Sequence, residues 1–89
     1  MLPTKRKREI YQEEGARVWI RLIRDLEVED AEGKRRVLEA GVVREIQGYY
    51  PDFYELADVC GGVLCVGLEE LEEASEPLHS PSSLPPHFV

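Results

Sequence analysis

Cys60 and Cys65 are the most reactive side-chain types in this 89-residue chain, and they stand in a C-x4-C spacing. A structural zinc site needs four ligands, and strong signals come as paired C-x2-C knuckles. Only His79 and His87 could complete such a set, and both lie close to the C-terminus. Metal binding is therefore not expected. Two cysteines make no disulfide framework, although an oxidising setting would let these two bridge. Nucleophilic catalysis needs Ser, Cys or Thr with a positioned base. Between Ala16 and Leu71 there is no Ser, Thr, Asn or His. Asp25, Glu27, Glu29, Asp30 and Glu32 are the densest carboxylates available for acid–base work, but in so charged a loop they are expected to stay solvated. Gly61-Gly62 joins two strands and opens no helix, so it is not a phosphate loop. The expectation is a non-enzymatic protein with no cofactor.

Binding is better represented than catalysis. Trp19 alternates with Val18 and Ile20, which places it on the outside of a strand between Arg17 and Arg21. Aromatic plus Arg is the composition of interface hot spots. Tyr49, Tyr50 and Phe53 are expected nearby. The competing reading is that the chain's own N-terminal arm or proline tail covers Trp19. A second possibility is nucleic acid. Lys5, Arg6, Lys7 and Arg8, extended by Arg17, Arg21, Lys34, Arg35 and Arg36, would grip phosphates while Trp19, Tyr49 and Tyr50 stack on bases.

The charge distribution disfavours that second possibility. Net charge is −7, and residues 1–44 carry +2 while residues 45–89 carry −9. Phosphate contacts need cationic surface, and everything after Arg44 is free of Lys and Arg. The length allows one domain, and a folded part of about 56 residues lies near the lower limit for a self-sufficient core. No stretch approaches the roughly 18 apolar residues of a spanning helix, so no membrane insertion is expected. The basic N-terminus leads into no apolar signal segment, so a cytoplasmic location is the default. Asn is absent and Met occurs once while Arg and Glu abound, a composition that fits a thermophile or a GC-rich genome.

These residues need elements to hold them. Residues 1–15 form an arm in which Thr4 could cap a helix ending at Gly15. Lys5 to Arg8 at its start and Glu13-Glu14 at its end oppose the helix dipole, so the helix would form only if Ile10 and Tyr11 docked on something. A first strand spans Arg17 to Val28, with a bulge or bend near Ile23-Arg24 where the alternation breaks. Glu29 to Lys34 is a charged turn containing Gly33. After Val37-Leu38 and a turn at Ala40-Gly41, strands follow at Val42–Gln47, Phe53–Val59 and Val63–Leu68. A three-residue loop at Cys60-Gly61-Gly62, with one glycine left-handed, aligns Tyr54, Leu56, Leu64, Val66 and Leu68 on one face and turns Glu55 and Cys65 outward. Glu69 to Glu73 suits one helical turn with Leu68 and Leu71 facing in. Ser75 to Val89, with four prolines, reads as an extended tail.

The order Val18-Trp19-Ile20-Arg21-Leu22, Ala40-Gly41-Val42-Val43, Tyr54-Glu55-Leu56-Ala57-Asp58, a Gly-Gly turn, Val63-Leu64-Cys65-Val66 and Leu68-Glu69-Glu70-Leu71 resembles small bacterial SH3-like β-barrel domains of uncharacterised function. Arg44 stands where a second glycine is common, and the charged loop from Glu27 to Arg36 is long for that pattern. The resemblance implies an all-β fold: an SH3-like barrel of about five strands at residues 16–73, flanked by an N-terminal arm (1–15) and a C-terminal tail (74–89). It supplies no active site. The expected role is a protein-interaction or assembly module, an accessory or structural subunit docking on a larger complex or on its own copies. Alternatives are a nucleic-acid-associated barrel and a phage structural or host-directed regulatory protein.

Overall fold

Val18, Ile20 and Leu22 alternate with Trp19 and Arg21, and that period-2 pattern folds as the strand β1 (Val18–Leu22) with its apolar residues buried. The computed structural model describes residues 4–78. In chain order the remaining elements are α1 (Thr4–Tyr11), β2 (Leu26–Glu29), β3 (Arg35–Leu38), β4 (Val43–Tyr49), β5 (Phe53–Ala57), β6 (Val63–Gly67), α2 (Leu68–Ala74) and β7 (Ser75–Leu78). The seven strands make one antiparallel sheet in the order β3-β2-β6-β5-β4-β1-β7. The sheet is open, with β3 and β7 at its margins. β3 carries Arg35 and Arg36, and β7 contains Pro77, which has no N–H to offer. The fold is thus mostly β with two short helices.

One core serves the whole sheet. Ile20, Leu56, Leu64 and Tyr54 from the strands and Leu71 from α2 are fully enclosed, and Leu26, Val28 and Leu38 join the same cluster. Leu56 stands opposite Leu64 and Tyr54 opposite Val66, which keeps the expected apolar phase but displaces the pairing by two residues, because Asp58 N–H donates to the Gly62 carbonyl and the loop is Val59-Cys60-Gly61 rather than Cys60-Gly61-Gly62. Gly61 supplies the left-handed residue at φ 93°, a conformation a Cβ disfavours. The expected long first strand is two strands, because the chain bends at Ile23-Arg24 and Asp25 turns it by accepting the Ala40 N–H. Val28 then runs in β2, hydrogen-bonded to β3 and, at Glu29–Cys65, to β6.

Both arms differ from the sequence expectation where they are described. α1 begins at Thr4 and stops at Tyr11, four residues before Gly15. Tyr11 is 2% exposed and Ile10 packs against the core, so the helix is held by docking as its dipole requires. Residues 74–78 were expected to belong to an extended tail. Ala74 and Ser75 are buried, and β7 pairs with β1 along Trp19–Leu22. The strand was hidden because Ser-Glu-Pro-Leu has weak β-propensity, and only the open edge of β1 recruits it. His79, His87 and the rest of the proposed tail lie outside the described residues. No helix among the described residues is long and apolar enough to cross a membrane.

Candidate interaction face

The outer side of the sheet over β4, β1 and β7 gathers the residues of most interest. β1 sets the rows. Trp19 stands between Glu45 of β4 and Leu78 of β7, and Arg21 between Val43 and Glu76. Paired residues share a face, so Trp19, Arg21, Val43, Glu45, Glu76 and Leu78 lie on the outer side, with Arg17 following by alternation; Glu45 is nevertheless buried there. Ile23, just past β1, is 42% exposed and Val43 is 38% exposed. Trp19 and Leu78 are half-buried. Arg17 Nε donates to Glu45 Oε2 at 2.8 Å, and Gln47 donates to the other oxygen of the same carboxylate. Arg21 pairs with Glu76 across the strands, and Arg24 lies 3.5 Å from Glu73. The hydrogen bond and charge of Glu45 raise the Arg17 pKa still further above its already high ordinary value.

Trp19, Arg17 and Arg21 are therefore brought together as the alternation implied. β7 lies along one side of Trp19, and the side chain is half-buried. The expected aromatics separate: Tyr49 pairs with Tyr54 and borders a depression beside Tyr11 and Val18, and Tyr50 and Phe53 lie at the far end of β4, beyond the register shift between Ile46 and Gly48. There Tyr50 and Phe53 stack at 4.6 Å, and the Tyr50 hydroxyl donates to Glu55, which raises its pKa.

The basic cluster does not form one surface. Lys5 and Arg6 are exposed, but Lys7 is 5% exposed. Its Nζ donates to the carbonyl oxygens of Glu72 (2.8 Å) and Ser75 (2.7 Å). Arg8 Nε and Nη2 bind the two Glu72 oxygens at 2.8 and 2.9 Å. Arg35 holds Glu27 and Arg36 holds Asp58. Most cations the phosphate reading needs are thus already committed to carboxylates or carbonyls. No family model matches this chain, and comparison with curated proteins and with solved structures found no significant match. The residues alone carry the functional argument.

Other chemistry is thinly supplied. A depression of about 180 Å³ lies between the α1–β1 loop and the end of β4, lined by Tyr11, Val18, Ile46 and Tyr49 among others. Wider and more open depressions of about 340 to 440 Å³ lie over β2 and β6 and beside α1 and α2. Among the described residues, no group of three His, Cys, Asp or Glu side chains converges as a metal site would require. Asp58, hydrogen-bonded by Arg36, is held below the usual carboxylate range. Cys60 is exposed, whereas Cys65 is half-buried between Glu55 and Glu29. Burial and those two carboxylates raise the Cys65 thiol pKa. Because the thiolate is the reactive form, a maleimide reagent at neutral pH should modify Cys60 well before Cys65. Peptide mapping of partly labelled protein checks the order, and equal labelling would contradict this geometry.

One cluster escaped the sequence reading. Glu72 is completely enclosed. Besides Arg8, it accepts the Tyr54 hydroxyl at 2.6 Å, and Gln12 donates to that hydroxyl at 3.3 Å. Tyr11 Oη and Ser75 Oγ lie 2.8 Å apart, and the Tyr11 and Tyr54 rings meet edge to face at 5.9 Å. Burial raises Tyr11 to a pKa of about 12, and burial with the Glu72 hydrogen bond raises Tyr54 too. The cluster ties α1 to α2, β5 and β7. Its signal in the sequence was periodic: Leu68, Leu71, Glu72 and Ser75 occupy i, i+3, i+4 and i+7, one face of a helix.

Proposed function

We propose that this chain is a non-enzymatic protein-interaction or assembly module, a small SH3-like barrel that docks through the outer side of β4, β1 and β7. The observation that carries the reading is the grouping of exposed Val43 and Ile23 with half-buried Trp19, bordered by Arg17 and Arg21. Apolar centre, aromatic anchor and arginine border are the composition of a docking face. The barrel form is supported by the single core: side chains from six of the seven strands meet in or pack against one cluster, which a sheet achieves by curling. A cytoplasmic setting belongs to the same reading, since exposed, unpaired Cys60 suits a reducing compartment.

The test is affinity capture from the native source with the whole chain, with Val43→Glu and with Trp19→Ser. The expected result is one protein complex retained by the wild type and lost with both variants, at unchanged far-UV circular dichroism. Capture unaffected by either substitution overturns the reading. Retention of DNA or RNA that weakens steeply with salt and disappears on removing residues 1–8 would favour the nucleic-acid alternative.

A further inference from the structure

We infer that the β4-β1-β7 face pairs with the same face of a second copy of this chain. The inference rests on the docking reading above and names the partner. Its ground is charge. The chain carries −7, so two copies repel one another. On this face, however, Arg17 and Arg21 are matched by Glu45 and Glu76. The face is electrically balanced, and the excess negative charge resides elsewhere. Two copies that meet there bring no net charge together.

The layout also suits self-pairing. Within β1 the outward residues run Arg17, Trp19, Arg21, with Val43 and Glu76 flanking Arg21 and Glu45 and Leu78 flanking Trp19. A two-fold axis across the strands, between the Trp19 and Arg21 rows, lays the guanidinium of each Arg21 on the Trp19 ring of the other copy. The same rotation sets Val43 above the row of the partner's Trp19 and Glu45, of which Glu45 is already buried. Cation–π stacking gains from desolvation, and it occurs twice in such an interface.

An acidic protein or a nucleic acid fits less well. It would have to displace Glu45 and Glu76 from their arginines while approaching a strongly negative molecule. Size sets the strength. Three strands about 4.8 Å apart and some 20 Å long present roughly 300 Å² before side-chain relief, well short of the ~800 Å² per partner of a stable complex. The pairing is therefore weak and concentration-dependent.

Sedimentation velocity of the whole chain over a concentration series, in low and in high salt, tests this. Trp19 is the only tryptophan, so its emission reports burial of the face directly. The expected result is a reversible dimer that strengthens as salt screens the repulsion, with a blue shift of Trp19 as it forms. Val43→Glu should weaken the dimer at least tenfold, and Ile23→Glu should do so independently should the first variant fold poorly. A monomer at every concentration and salt overturns the inference. So does a dimer that leaves Trp19 emission unchanged or that weakens with salt. Should the chain stay monomeric while Val43→Glu still abolishes capture of another protein, self-pairing falls and the docking face stands.

Discussion

Glu72→Ala should destabilise the protein by about 3 kcal/mol. Glu72 is fully enclosed and accepts three side-chain hydrogen bonds, two from Arg8 and one from Tyr54. Removing one member of a buried pair usually costs 3–5 kcal/mol. The lower end applies because the Arg8 side chain is 42% exposed and can retreat into water. The Tyr54 hydroxyl cannot retreat, and it keeps only the long contact with Gln12. Against a typical domain stability of about 5–15 kcal/mol, this is a large fraction. The loss should be local first: amides of residues 4–11 should exchange faster, because α1 has an unfavourable dipole and depends on docking. Urea unfolding and hydrogen exchange measure both effects. A change below roughly 1 kcal/mol, with α1 still protected, would sink the idea that Glu72 holds the helix.

Alkaline unfolding should follow from the same cluster. Tyr11 titrates near 12 in the folded chain against 10.0 as its ordinary value, because burial penalises the phenolate. The folded state therefore holds its proton more tightly than the unfolded state. The associated stability is complete below pH 10, declines between 10 and 12, and is gone above that. Its size is roughly 2–3 kcal/mol. Tyr54 shifts in the same direction, for burial first and for the Glu72 hydrogen bond second, and adds to the decline. Stability measured by urea at stepped pH should fall steeply between 10 and 12. Tyr11→Phe should flatten the slope. A curve level across that interval would contradict the burial of both phenols.

How much of this was legible in the sequence depended on whether the signal was local. The alternation of Val18, Ile20 and Leu22 forecast β1 and the shared face of Arg17, Trp19 and Arg21. The apolar phase of Tyr54, Leu56, Leu64 and Val66 chose the correct face for each side chain, although the pairing slides by two residues because Asp58 and Gly62 close the loop. Ile10 and Tyr11 were read as needing a dock and found one. Other features depended on contacts between distant segments. Nothing in Lys5–Arg8 distinguishes the two cations that turn inward from the two that face solvent, because the distinction is made by carbonyls and a carboxylate more than sixty residues away. Glu72 sits in a run of glutamates, and composition hid what helical period would have shown. Tyr49, Tyr50 and Phe53 were grouped with Trp19 by chemistry alone, and beyond the register shift after Ile46 they part, Tyr49 toward Tyr54 and Tyr50 with Phe53 toward Glu55.

The margins of the sheet bear on what the molecule is prevented from becoming. A free strand edge is a template for endless lateral growth. Here one margin presents two adjacent arginines on a strand of only four residues, and the other contains a proline. Both margins discourage a further strand from adding on. Any contact between copies is thereby steered from the rims to the outer side of β4, β1 and β7, where the proposed two-fold arrangement would close on itself and stop at two rather than run on as a filament.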